Sequence, residues 1–138
     1  MPQFEMPLAN TAEIVAFSDL DEFTQGYVEA MFWTECNSDN PELEDATFGD
    51  LAPETLAAII EDCAAFQDAN ADDLAKAYET EKIVYDESRA GHDYWLTRNG
   101  HGAGFWDRGL GFVGEALSIA CRHRTVDLYR GDDGRLYI

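Results

Sequence analysis

The sequence predicts an α+β domain: acidic N-terminal helices packed on a small antiparallel sheet, itself built from two β-hairpins separated by a helix. Three observations lead there. Apolar residues recur at helical spacing through the first part of the chain. After Gly91 the period shortens to two, with Gly-rich turn signals. Charge divides the chain in nearly the same place. The 138 residues hold 28 acids and 9 Lys or Arg, for a formal charge of −19. Eighteen of the acids lie at or before Asp73, and no Lys, Arg or His precedes Lys76. The chain therefore reads as one domain, 1–138, with an all-acidic helical half (1–75) and a charge-balanced half (76–138).

The elements follow in order. In "SDLDEFTQGYVEAMFWTEC", Ser18 is placed as an N-cap with Asp21 three positions on. Leu20, Phe23, Tyr27, Ala30 and Met31 then form the apolar stripe, with Asp19, Glu22 and Glu29 toward the other side. "SDNPELEDATFGD" is a polar connection. "LAPETLAAIIEDCAAFQDAN" gives a second helix, with Pro53 in its first turn and Glu54 by the positive end of its dipole. Its stripe is Leu56, Ile59, Ile60, Cys63 and Phe66. Asn70 caps a third helix, "ADDLAKAYE". "KIVYDESRA" either extends that helix or forms one of its own.

From Gly91, read as a helix C′ residue, "DYWLTRN" and "GAGFWDR" flank "NGHG" as the first hairpin. This register puts Trp95 and Trp106 on one face and lets Asp93 pair with Arg108 at the open end of the ladder. "GFVGEALSIACRH" is the intervening helix. "VDLYR", "GDDG" and "RLYI" form the second hairpin.

Several functional classes are excluded. No run approaches the ~18 apolar residues of a membrane span, and "MPQFEMPLAN" lacks the basic and apolar parts of a signal peptide. Cys36, Cys63 and Cys121 are odd in number and without metal-like spacing, so reduced thiols in a cytoplasmic protein are expected. No metal site follows from the three His. Glu42, Glu44 and Asp45 lack the Gly and bidentate Glu of a calcium loop. "GHGAG" joins two strand-like segments rather than a strand and a helix, so no nucleotide cofactor is expected.

Residues 90–111, "AGHDYWLTRNGHGAGFWDRGLG", carry a resemblance. They are similar to the signature of a small protein family of bacteriophages and prophages, close to A-G-H-D-(F/Y)-W-L-T-R-N-G-H-G-A-G-F-W-D-R. The likeness extends to "LAPETLAAIIEDCAAFQ" and "VDLYRGDDGRLYI", the last two-thirds of the chain. Ala52 departs from it, where a Ser cap is expected. The resemblance implies an origin, a small protein of an infected host's cytoplasm, and no particular activity.

Two sets of candidate residues remain. In the hairpin, His101 could act as a general base, with Arg98 and Arg108 binding an anionic substrate and Asp107 beside them. The stretch holds no Ser or Cys nucleophile, which counts against an enzyme. The other set is acidic. Asp19, Glu22 and Glu29, and then Glu54, Glu61 and Asp68, recur as rows on two helices. Such rows fit a basic partner. They resemble the charge row that a nucleic acid presents to the Arg and Lys groove of its binding protein, while the same charge repels nucleic acid itself. The leading expectation is a non-enzymatic acidic inhibitor of a host restriction, CRISPR or repair complex. The alternatives are the small enzyme and an acidic docking protein for a phage structural component.

Overall fold

The computed structural model describes residues 16–122 and 125–138. The N-terminal decapeptide read above, and His123, lie outside them. The described residues form five α-helices and one two-stranded sheet. The helices are α1 (Glu22–Glu35), α2 (Pro53–Ala69), α3 (Ala71–Tyr78), α4 (Glu87–Arg98) and α5 (Phe112–Ala120); the strands are β1 (Tyr129–Arg130) and β2 (Leu136–Tyr137). The fold is mostly helical, which corrects the α+β expectation of two hairpins around a helix.

The first helices form much as their sequences dictate. α1 starts one turn later than expected: Ser18 lies in a 3-10 turn, and Asp21 is the cap, accepting from Thr24 N at 2.8 Å. α2 has Pro53 at its first position and buries Ile59, Cys63 and Phe66. Ala52 is fully buried, and its N–H donates to Leu136 O. The Thr55 hydroxyl donates to the same carbonyl at 2.9 Å. That start of α2 is thereby stitched to the C-terminal strand.

The first predicted hairpin does not exist. Residues 93–98 belong to α4, capped by Asp86, which accepts from Arg89 N at 3.0 Å. Gly91, expected to end a helix, lies in the middle of this one. The "NG" pair stops α4 rather than turning a ladder. Gly100 has φ 68°, Gly100 N–H bonds to Thr97 O and His101 N–H to Leu96 O. These are the paired bonds of a Schellman motif. The chain then loops back, with Phe105 driven into the core and stacked 5.9 Å from Phe66. Trp95 and Trp106 consequently do not share a face: Trp95 is buried, and Trp106 is 54% exposed.

The second hairpin forms as expected. Tyr129 pairs with Tyr137 and Arg130 with Leu136, antiparallel, across a turn with Gly134 at φ 82°.

α4 is the centre of the molecule. It lies along α1 so closely that neither helix admits a side chain at the crossing. A Cβ on Gly26 would sit 2.0 Å from Ser88 O, and one on Gly91 would sit 1.9 Å from Phe23 O. Around this seam Phe23, Tyr27, Phe66, Tyr94, Trp95 and Phe105 form one aromatic cluster, with Phe66 and Tyr94 stacked at 4.1 Å.

Candidate functional site

Two charged pairs hang on α4. Arg98, at its last turn, is buried. Its Nη1 donates to Asp62 Oδ2 on α2, to Tyr27 OH at 3.0 Å and to Tyr94 OH at 3.2 Å. Tyr94 OH in turn donates to Asp62 Oδ1 at 3.0 Å. Asp93, on the adjoining face, is 1% exposed. It is gripped by Arg108 from the loop, Nε at 3.1 Å and Nη2 at 2.7 Å, and it accepts from Tyr85 OH at 2.7 Å. The hydrogen bonds to Asp93 hold the Arg108 guanidinium above its already high ordinary pKa, against the opposing effect of burial. The Asp93–Arg108 pair expected from the sequence is thus present, but it ties a loop to a helix rather than closing a ladder.

The hairpin candidates other than Arg108 have different partners. Arg98 is engaged with Asp62 and the two tyrosines. His101 stacks on Trp95 at 6.4 Å, with Nε2 3.7 Å from Glu35 Oε2. Burial lifts the Glu35 carboxyl above its usual range; His101 opposes this and Asp127 adds to it. Asp107 is exposed at the end of the 3-10 turn Phe105–Asp107, whose first residue is buried.

The acidic candidates are all at the surface. Asp19, Glu22, Glu29, Glu54, Glu61 and Asp68 are each exposed. Glu29 lies 3.2 Å from His92 Nε2, across the α1–α4 seam. Among the described residues, the other five form no ion pair. Successive members of the α2 row, seven residues apart, are about 10 Å apart along the helix axis.

Sequence reasoning missed one feature, a half-open cleft of about 310 Å³ beside the Asp93–Arg108 pair. It is lined by Tyr85, Ser88, Arg89, His92, Asp93 and Arg108. Tyr85, Ser88 and Arg89 sit in a stretch that the sequence left as either helix extension or separate helix, so nothing pointed to their meeting Arg108. The signal available was Asp86 as an N-cap, which would have put Arg89, His92 and Asp93 on successive turns of one helix.

Among the described residues, no helix is long and apolar enough to cross a membrane, and no three His, Cys, Asp or Glu side chains group as metal ligands. No protein-family model, curated protein or solved structure matches the chain.

Proposed function

We propose that this is a non-enzymatic acidic binding protein whose outer α1 and α2 surface docks on a basic partner. The observation that carries the reading is the exposure of all six row carboxylates in a half of the chain without a base before Lys76. Unmatched surface charge of one sign is costly to the fold through self-repulsion and favourable only for solubility or for an oppositely charged partner. A solubility role alone would spread the excess, whereas residues 76–138 are nearly balanced. Regular spacing on α2 further suits an Arg- and Lys-lined groove of the kind that holds nucleic acid. The resemblance of residues 90–111 to phage and prophage proteins supports an infected host's cytoplasm as the setting. A host restriction, CRISPR or repair complex is then the target class. The protein itself does not bind nucleic acid in this reading.

The test is capture of partners on the immobilised chain from infected-host lysate, eluted either with salt or with duplex DNA. A nucleic-acid-binding complex released by both is the expected result. A partner released by salt but not by DNA would replace mimicry with docking on a phage structural component. A partner indifferent to salt would overturn the acidic surface as the binding site.

A further inference from the structure

We infer that the cleft between the first turns of α4 and the Arg108 loop is a binding site for the phosphate group of a small phosphomonoester. This goes beyond the acidic surface and does not depend on it.

The cleft is unusual for this chain. Within a protein of charge −19, Arg89, His92 and Arg108 converge on one concavity, and each of the six lining side chains carries a polar group. Asp93 neutralises the formal charge of Arg108, so Arg108 offers a ligand its remaining N–H groups while Arg89 supplies the charge left unpaired among the described residues. Asp93 is buried behind Arg108 and holds the guanidinium side-on through Nε and Nη2. That leaves the Nη1 edge of a pre-oriented fork for a ligand. Tyr85 completes the support by donating to the same carboxylate. An Arg fixed by a buried carboxylate loses little freedom when it binds an anion.

The backbone of the opposite wall is held as well. Ser88 and Arg89 sit on the part of α4 that is clamped on Gly26 of α1. The exposed Arg89 side chain has no ion pair among the described residues. Ser88 offers a hydroxyl, and His92 a ring whose Nε2 lies against Glu29. Two guanidinium groups plus a hydroxyl, arriving from two chain segments, suit an anion with three terminal oxygens better than a two-oxygen carboxylate. The volume, about 310 Å³, falls at the lower end of small-ligand pockets. It therefore has room for an organic portion beyond the phosphate.

The negative field of the rest of the molecule does not exclude such a ligand. At physiological ionic strength, charges beyond about 8 Å are largely screened. Of the nearer acids, Asp93 is paired with Arg108 and Glu29 is on His92. Asp86, Glu87 and Asp107 adjoin lining residues without lining the cleft themselves, and their charge opposes the anion, so the donors must outweigh it.

The experiment titrates the full chain with phenyl phosphate, inorganic phosphate and acetate in buffer of physiological ionic strength, by calorimetry and phosphorus NMR. Phenyl phosphate should saturate and bind more tightly than acetate. Arg89→Gln, an exposed change, should weaken it about tenfold, the value of one charge-assisted hydrogen bond. Lys76→Gln, the same charge change in a neighbouring surface hollow, should alter it less than about twofold. Inorganic phosphate binding as tightly as phenyl phosphate would reduce the ligand to the free ion and overturn the phosphomonoester. No saturable binding, equal binding of acetate, or equal losses from Arg89→Gln and Lys76→Gln would overturn the site. None of these outcomes bears on the acidic surface, which is tested with a protein partner.

Discussion

Along the seams that α4 makes with its neighbours, carboxylates are matched. Asp93 has Arg108 and Tyr85, and Asp62 has Arg98 and Tyr94. On the outer faces of α1 and α2 they are not: Glu22, Glu54, Glu61 and Asp68 are exposed and, among the described residues, form no ion pair. The same residue type therefore has two roles. Inside, a charge is tolerated only with a partner, because desolvating it alone costs several kcal/mol. Outside, water solvates it, and it stays available to another molecule. Substitutions along the seams should cost stability and leave recognition of a partner to follow from folding. Substitutions outside should do the reverse.

The largest effect is expected where the seam has no room. Helix propensity alone makes Gly91→Ala a gain of about 1 kcal/mol. The new Cβ, however, would lie 1.9 Å from Phe23 O and 2.8 Å from Tyr27 N, both backbone atoms that cannot rotate away. Overpacking of this kind costs about 1–3 kcal/mol or more. Gly91→Ala should thus lower the urea midpoint markedly. A rise in the midpoint would mean that α1 and α4 are not in close contact.

Next comes the buried pair. Arg98→Met strands Asp62 beside the aromatic cluster. Asp62 keeps 26% of its side chain exposed, so water screens part of the loss. About 2–3 kcal/mol is expected, at or below the low end for breaking a buried pair. Arg98→Met with Asp62→Leu should recover most of it, since an apolar replacement of both partners is often neutral. A double-mutant cycle by chemical denaturation reads the coupling. Additive losses would mean that the pair is not coupled.

The seam is also the source of a pH dependence. Burial is the largest cause raising Tyr27, Tyr78, Tyr85 and Tyr94 above their ordinary value of 10.0. A phenol that holds its proton longer when folded stabilises the fold fully below the unfolded value. That contribution is lost as pH climbs from about 10 toward the raised folded value, because the unfolded chain then binds fewer protons. Stability should therefore fall steeply above about pH 10. These phenols should ionise, as followed by ultraviolet absorbance, together with unfolding. Ionisation of all six tyrosines before any loss of helix would contradict the burial.

How far the sequence reveals this arrangement depends on how each element is buried. α1, α2 and α5 bury one side or stripe, and a period of 3.6 shows it. α4 buries Ala90, Gly91, Asp93, Tyr94, Trp95, Leu96 and Arg98, on nearly every side. A helix enclosed in this way keeps only a narrow polar strip, Ser88, Arg89 and His92, too short to mark its period, and Tyr94 and Leu96 imitate a strand. Asn99-Gly100 is equally a hairpin turn and a helix stop, and only the fate of the following segment distinguishes them. The C-terminal hairpin was legible because "GDDG" separates two segments that do pair. The exposure of Glu22, Glu29 and the α2 row was legible from spacing; Asp19 is exposed too, but in the 3-10 turn before α1 and not in the expected helical row. The cleft was not, because Arg108 reaches it only after the loop has folded back.

A smaller effect tests that loop. Gly104→Val places a Cβ 2.0 Å from Thr97 Oγ1, which accepts the Phe105 N–H at 3.1 Å. Gly104 also has φ 156°. In the expected hairpin Gly104 would share a face with Trp95 and Trp106 and a Val there would crowd them; the structure makes Thr97 the obstacle. Its side chain can turn, at the expense of the hydrogen bond, so a loss of about 1–2 kcal/mol is expected. Thr97→Ala combined with Gly104→Val should lose less than the sum of the two if Thr97 is the obstacle, and the full sum if it is not.

The smallest effect on stability is expected on the outer face, and there the two rows differ. Glu54→Lys with Glu61→Lys removes no ion pair among the described residues and relieves repulsion between like charges. The midpoint should change by less than about 0.5 kcal/mol, with a gain as the direction. Glu22→Lys with Glu29→Lys also replaces with a cation the carboxylate that lies 3.2 Å from His92 Nε2. A half-exposed pair of this kind is worth about 0–1 kcal/mol, so this variant should gain less or lose slightly. Both variants should associate more slowly with a basic partner, and the deficit should shrink as salt is raised. Reversing Asp132 and Asp133, exposed acids of the C-terminal turn, supplies the comparison within the balanced half. If that reversal slows association as much as the α2 reversal does, the partner responds to net charge and not to the rows. If only the α1 and α2 reversals slow it, the carboxylates that the fold leaves unmatched are those that meet the partner.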